Sequence, residues 1–248
     1  MADFFNISNL CKNFGGLAAV SDLSFTVPQG QIVGVIGPNG AGKTTLFNLI
    51  TGFIRPDGGQ VLFRQESLVG KKPNKIVNMG ISRTFQLVKP FLEMSLYDNL
   101  RVACYSPRFS ARHSGRESIQ RRILETARQV GLPEDLSIPA TNLSHGDLRL
   151  LDIGRSLISE PELLLLDEPL SGLSSIETGK VLEVVLELNR QGFTILIIEH
   201  KLKELMRIAN RIVAIDFGMK IAEDTPTEIV NNPEVIRAYL GKKKNGAA

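Results

Sequence analysis

Apolar positions gather first into short β-type runs. Phe4 to Leu10, Leu23 to Val27 and Gln31 to Gly37 are rich in Val, Ile and Phe, and the Gly15-Gly16 pair and the Pro28-Gln29-Gly30 turn separate them. From Lys43 the spacing turns helical, carrying Leu46, Leu49 and Ile50 to one face before Gly52 ends the element. Further strands are predicted at Gln60 to Phe63, Ile81 to Gln86, Leu163 to Asp167, Phe193 to Ile198 and Ile212 to Ile215, with helical patterns between several of them. This alternation predicts an α/β core with a substantially parallel sheet, opened by antiparallel strands near the N-terminus. Between Lys89 and Pro161 the pattern is helical without convincing strands, at Leu96 to Ala103, Ile119 to Val130 and Leu148 to Ile158. The expected layout is an α/β core from 1–88 and 160–241, an inserted helical lobe at 89–159, and a polar tail at 242–248 that should be disordered.

Composition narrows the class. With 43% hydrophobic and 22% charged residues, the 248-residue chain reads as a globular protein with a real core, which excludes disorder and a collagen-like repeat. No apolar run approaches the roughly 18 residues that cross a bilayer, so the chain is not expected to span a membrane alone. Its first residues, Met1-Ala2-Asp3-Phe4-Phe5, lack the basic and apolar regions of a signal peptide, and secretion is not expected. Cys11 and Cys104 are isolated, form no metal-like pair and fit a reducing compartment. The net charge of +3 is too small to drive nucleic-acid binding. Locally, however, Arg101 to Arg128 holds seven Arg against Glu117 and Glu125, either as a solvated helix face or as a surface for lipid or an acidic partner.

The chemistry is concentrated at two places. Gly37-Pro38-Asn39-Gly40-Ala41-Gly42-Lys43-Thr44, with Thr45 next, fits G-x-x-x-x-G-K-[ST] between an apolar strand and a helix. Glycines let successive N–H groups and the helix N-terminus surround phosphates, Lys43 reaches the outer phosphates, and the Thr44 hydroxyl is a Mg²⁺ ligand. The second place is Leu163-Leu164-Leu165-Leu166-Asp167-Glu168-Pro169, where four Leu make a doubly buried strand with two carboxylates at its C-terminal edge. Asp167 would hold Mg²⁺ through water and Glu168 would polarise the attacking water in a phosphoryl transfer.

Beside these motifs the chain carries Gln86 closing a strand, Leu143-Ser144-His145-Gly146-Asp147, and His200 just after the strand Thr194 to Ile198. That set, in that order, resembles the ATP-binding cassette (ABC) ATPases from about Phe4 to Gly241. The implied fold is a P-loop NTPase core with an N-terminal antiparallel β region and an inserted helical lobe bearing the signature motif. More narrowly, Arg83-Thr84-Phe85-Gln86, Glu93 to Leu100, Ser144 to Arg149 and Asn232 to Gly241 resemble the LivG-type ATPases of branched-chain amino-acid importers. The resemblance implies ATP and Mg²⁺ as cofactors and a dimer of cassettes with two nucleotides in its seam. Ser144 and Gly146 would cap the γ-phosphate held by another subunit; on its own, Ser144 is also a simple N-cap. Gln86 would sense Mg²⁺ and water, His200 would contact the γ-phosphate, and Phe14 either stacks on adenine or belongs to the core. Catalysis would therefore fall to Glu168, His200, Gln86 and Lys43.

Two positions depart from the common pattern of this family. His145 and Asp147 stand where Gly and Gln are commonest, leaving the phosphate-facing Ser144 and Gly146 in place. In Ser171-Gly172-Leu173-Ser174 the last residue is usually Asp or Asn, and here Ser174 also opens a capping box, Ser-Ser-Ile-Glu177.

The function implied is that of an ATP-hydrolysing importer motor, peripheral on the cytoplasmic face of the inner membrane. It would drive two transmembrane permease subunits together with an identical or related second cassette, and would serve a solute-binding protein indirectly. Phe85, Val88, Phe91 and Leu92 are either contacts for a membrane subunit or core. The alternative is a soluble ABC ATPase acting on nucleic acid or ribosomes. Such chains usually carry two cassettes or a long coiled coil, whereas Lys43 and Asp167 stand only 124 positions apart, so no nucleic acid is expected. A regulator that binds nucleotide without hydrolysing it is disfavoured by the presence of Lys43, Glu168 and His200. The cargo is not readable, because such a motor never touches it.

Overall fold

In the computed structural model, which describes residues 4–85 and 90–240, the N-terminal runs form β1 (Phe5–Phe14) and β2 (Leu17–Val27), and the third run is β3 (Ile32–Ile36). There follow α1 (Lys43–Ile50), β4 (Gly58–Phe63), β5 (Glu66–Ser67), α2 (Pro73–Met79), β6 (Ile81–Arg83), α3 (Leu96–Ala103), α4 (Pro107–Ser110) and α5 (Arg116–Gln129). The chain continues through α6 (His145–Leu157), β7 (Leu163–Asp167), α7 (Ser175–Arg190), β8 (Thr194–Ile198), α8 (Leu202–Ile208), β9 (Arg211–Asp216), β10 (Met219–Asp224), α9 (Pro226–Ile229) and α10 (Pro233–Leu240). Gln86, Val88, Gly241 and the 242–248 tail lie outside the described residues. The chain divides into two compact units, one from the residues up to Lys72 and from Leu196 onward, the other from Pro73–Ile195, so the boundary falls inside β8.

In the first unit an antiparallel sheet of order β2-β1-β4-β5 has β1 in its interior. β1 and β2 run past their apolar stretches to close a hairpin at Phe14 and Leu17, because ladder hydrogen bonds extend the pairing through polar Lys12 and Asn13. The alternate residues Phe5, Ile7, Leu10, Leu23, Phe25, Val61 and Phe63 are buried on one side. A second group of strands has β3 parallel to β9, and β9 antiparallel to β10. β3 is buried throughout, which is what a continuous Ile-Val-Gly-Val-Ile run requires. β10 escapes a hydropathy reading because its Met-Lys-Ile-Ala-Glu-Asp sequence is largely exposed. Helices α9 and α10 pack against β10.

In the second unit β6 pairs parallel with β7, Ile81 opposite Leu163 and Arg83 opposite Leu165. Leu163–Asp167 is wholly buried, as four consecutive leucines predict. Among the described residues of the strand expected over Ile81 to Gln86, pairing runs from Ile81 to Arg83, and the Thr84 N–H also donates to Leu165 O at 2.9 Å. Between β6 and β7 the described residues form helices, with one isolated bridge between Ser95 and Pro139. Helix α6 packs against α3, α5 and α7. It starts three residues earlier than its apolar spacing predicts, since the Ser144 hydroxyl accepts the Asp147 N–H at 3.1 Å and caps the first turn.

The arginine-rich stretch is partly consumed inside this unit. Arg122 donates to Leu157 O at 2.7 Å, and the buried Arg108 donates to Ser159 O and Glu160 O at 3.0 Å each. These carbonyls lie at and just beyond the C-terminus of α6, where cations meet unpaired carbonyls and the negative end of the helix dipole. Glu160 also takes Arg112 at 3.1 Å and His113 at 2.9 Å. Arg101, Arg112, Arg116, Arg121 and Arg128 remain exposed. Two of the seven arginines, Arg108 and Arg122, are therefore spent on backbone carbonyls inside the unit.

Candidate functional site

The phosphate loop is held open by its backbone. Gly42, with φ 100, caps α1 in the left-handed region, and its carbonyl accepts the Leu46 N–H at 2.8 Å. A Cβ at Gly42 would collide with the Ala19 carbonyl, and one at Gly37 with the Ile215 carbonyl of β9, so both positions admit only glycine. No side chain caps α1, which leaves its first N–H groups for a ligand. Lys43 is buried, and its ammonium donates to Gly37 O at 2.6 Å and Pro38 O at 2.8 Å across the loop. At the loop's entry the Gly37 N–H donates to the Tyr239 hydroxyl at 2.8 Å. Thr44 is exposed on the first turn of α1, Thr45 is half-buried, and Asn39 and Gly40 are exposed at the tip of the loop.

Two other expected residues share this unit. Phe14 ends β1 with 48% of its surface exposed and with the Lys12 ammonium 5.5 Å from its ring centroid, so it is not a core residue. His200 is exposed directly after β8. Its backbone is fixed by Glu199, a buried carboxylate that accepts the N–H of His200 at 2.9 Å and that of Lys201 at 3.2 Å. The only signal for Glu199 in the sequence is an acid closing the Thr-Ile-Leu-Ile-Ile run.

The second unit carries the acidic pair. Asp167 closes β7, and its Oδ2 accepts from Arg83 at 2.6 Å, a pair whose side chains are only 5% and 3% exposed. Oδ1 of Asp167 is buried and has no hydrogen-bond partner among the described residues. Burial pushes the Asp167 carboxyl above its ordinary range, as does Glu168, against the pull of Arg83. A buried acceptor in search of a partner fits a divalent cation and its water. A single such carboxylate suits Mg²⁺, which takes few protein ligands and keeps phosphate oxygens and waters. Glu168 is buried and adopts φ 49, a left-handed conformation that costs a non-glycine residue on the order of 1 kcal/mol and that recurs at functional sites. Buried Arg149 of α6 donates to Phe85 O at 3.3 Å, tying the helix after the signature residues to the residue before Gln86. Gln86 itself lies outside the described residues.

The Ser144–Gly146 segment opens α6 as expected, but its donors are engaged within the chain. The Gly146 N–H donates to Glu177 Oε1 at 2.9 Å, and the Ser144 hydroxyl donates to Asp147 Oδ2 at 2.8 Å. Glu177 is also held by the Ser174 hydroxyl at 2.8 Å and the Ser174 N–H at 3.0 Å, completing the capping box of α7. These donors bring its carboxyl down to about 2, the Ser174 hydroxyl first and the Gly146 N–H next. The His145 ring lies beside Gly172, where an added Cβ would meet Cε1 at 3.0 Å. His145 and Ser174, two departures from the common pattern, thus flank one cluster centred on Glu177.

Glu199, Arg83, Tyr239 and Glu177 were not legible as site residues, because each acts through a neighbour that folding supplies. The P-loop, Phe14 and His200 belong to the first unit; Ser144, Gly146, Asp167 and Glu168 belong to the second.

Comparison with known proteins gives concordant matches. Residues 20–171 match the ABC transporter family, and residues 219–244 match the branched-chain amino acid ATP-binding cassette transporter family. The chain is 42% identical to the high-affinity branched-chain amino acid transport ATP-binding protein LivG of Salmonella typhimurium, over 95% of this chain and 97% of the relative. It is 39% identical to the corresponding protein BraF of Pseudomonas aeruginosa, over 95% and 97%. Among solved structures it is similar to an ATP-binding cassette of an ABC transporter in its ADP conformation, with a TM-score of 0.88, 30% identity, and coverage of 98% of this chain and 100% of that one.

Proposed function

This chain belongs to the ABC transporter ATP-binding family, and from that membership we propose that it powers an importer of branched-chain amino acids or a related small polar solute. It is an ATPase coupled to transport, built on the ABC cassette fold. The observation that carries the cargo class is the 42% identity to LivG over 95% of the chain, joined by the C-terminal match at residues 219–244.

The geometry supports the following roles. The ATP phosphates enter the loop from Gly37 to Thr44, meet the uncapped N–H groups of α1, and draw Lys43 from the carbonyls of Gly37 and Pro38. Phe14 offers an exposed face for adenine. Thr44, Asp167 and, by family resemblance, Gln86 would hold Mg²⁺, which would supply neutralisation of charge on the outer phosphates. Glu168 orients the attacking water and accepts its proton, while His200, anchored through Glu199, contacts the γ-phosphate. Ser144 and Gly146 receive the γ-phosphate of a second cassette, identical or related, and to do so Gly146 must leave Glu177.

Two transmembrane permease subunits and, indirectly, a solute-binding protein complete the assembly, with no role for nucleic acid. Among the described residues no helix is long and apolar enough to cross a membrane. Attachment to the cytoplasmic face of the inner membrane is assigned to contacts with the permease subunits. Phe85, Phe91 and Leu92 are 47%, 45% and 46% exposed, as a contact surface for a membrane subunit needs and a core does not. Fractionating cells with and without the permease subunits tests the reading. The protein should sediment with membranes only when they are present, and proteoliposomes of the full assembly should take up leucine in an ATP-dependent manner. Equal partition in both strains would overturn the partnership; ATP-driven uptake of some other solute class alone would overturn the cargo.

A further inference from the structure

The phosphate loop has an anchor that the motif does not contain. Gly37, its first residue, is gripped on both sides: its carbonyl accepts Lys43 Nζ at 2.6 Å, and its N–H donates to the hydroxyl of Tyr239, 202 positions later, at 2.8 Å. The two grips differ in what they do next. Lys43 is the cation that nucleotide phosphates attract, so the carbonyls of Gly37 and Pro38 lose it as ATP binds. Nothing about nucleotide draws Tyr239 away. Gly37 is itself buried and backed against the Ile215 carbonyl, so its N–H has little access to water if the hydroxyl is missing.

Tyr239 is also a well-set post. It sits on α10, which packs against β10 and buries Val235. The start of α10 is fixed by Asn232, whose side-chain oxygen accepts the N–H of Glu234 at 2.9 Å and that of Val235 at 3.3 Å. Burial raises the Tyr239 phenol above its ordinary range, so the hydroxyl stays neutral at physiological pH and keeps both its proton and its acceptor lone pairs. The residue lies inside the C-terminal stretch, 219–244, that matches the branched-chain amino acid cassette family rather than the general ABC family match at 20–171.

We propose that Tyr239 is a positioning residue for the phosphate loop: its hydroxyl holds the loop's first N–H while Lys43 transfers from loop carbonyls to nucleotide, so that the C-terminal helix sets nucleotide affinity. Tyr239 touches no reacting atom, and its effect is exerted through Gly37. The inference rests on the loop being the nucleotide site, and the test separates the two.

Titrate the full-length chain and Tyr239→Phe with ATP, and measure steady-state hydrolysis in the assembled transporter. Wild type that fails to bind ATP would defeat the nucleotide reading itself. With wild type binding, Tyr239→Phe should weaken ATP about three- to tenfold, the scale of one lost hydrogen bond to a buried donor. KM should rise by the same factor while kcat stays within about twofold, because the interaction is equal in ground and transition states. Equal affinity of the two proteins, or a loss confined to kcat, overturns the proposal. Hydrogen exchange at the Gly37 amide gives a reading in the wild-type chain: it should be protected there and exchange about tenfold faster in Tyr239→Phe. An unprotected Gly37 amide in the wild type removes the contact on which the proposal stands.

Discussion

Asp167 illustrates how a single residue is shaped by opposing demands. Its carboxylate is buried beside Glu168 and is balanced by the equally buried Arg83 at 2.6 Å. Removing one partner of such a pair leaves a charge without compensation, so Arg83→Ala should lower stability by about 3 kcal/mol at neutral pH. Protonation relieves the stranded carboxylate, and because burial already holds the Asp167 carboxyl above its ordinary range, the deficit should shrink as pH falls from neutral towards that range and change little below it; urea unfolding of both proteins across this interval checks this. At Glu168 the proposed demand is chemical. Glu168→Gln preserves shape and should leave ATP binding intact while lowering turnover at least ~100-fold, whereas Lys43→Ala should weaken binding itself. Nucleotide titration beside steady-state hydrolysis distinguishes the two, and near-normal turnover by Glu168→Gln would end its assignment.

At the level of elements, Glu177 joins two helix starts. It completes the capping box of α7 with Ser174 and accepts the Gly146 N–H from the first turn of α6. Its folded-state carboxyl lies at about 2 against an ordinary 4.5, so its stabilisation is complete above the ordinary value and is lost as pH falls towards the folded one. Thermal melts of wild type and Glu177→Gln should therefore differ most near neutral pH and converge between 4.5 and about 2. A gap that is constant across this window would mean that the charge of Glu177 contributes nothing to the fold. The element boundaries show the same interplay. The helix at Leu96–Ala103 and the strand at Leu163–Asp167 follow directly from their apolar spacing, whereas β10 and α2 do not, because an edge strand and a seven-residue helix bury too little to leave a clear period.

For the whole molecule, the task set by the ABC family is to convert nucleotide binding into movement of a partner, and two surfaces bear on it. If Ser144 and Gly146 serve a second cassette, Ser144→Arg should abolish ATP-dependent association while leaving the nucleotide affinity of the dilute chain nearly unchanged, as sedimentation and titration can read. Equal loss of single-chain affinity would contradict action in trans. Phe91, 45% exposed with the Arg155 guanidinium 5.2 Å from its ring centroid, is the test position for membrane docking. Phe91→Asp should move the protein to the cytosolic fraction and uncouple uptake without lowering the melting temperature of the isolated chain, since an exposed ring contributes little to the core. The phosphate loop, the Asp167-Glu168 strand end and the helical stretch between β6 and β7 were readable from the sequence alone, because each is a contiguous pattern of residues a few positions apart, whereas Ser144 and Gly146 stood out only through the family resemblance. Only tertiary structure decided that Arg83 neutralises Asp167, that Glu177 occupies the Gly146 N–H and that Tyr239 holds Gly37. Those partners stand 84, 31 and 202 positions apart, and which of many polar side chains meets a given buried donor or charge is settled by where the packed core returns the chain.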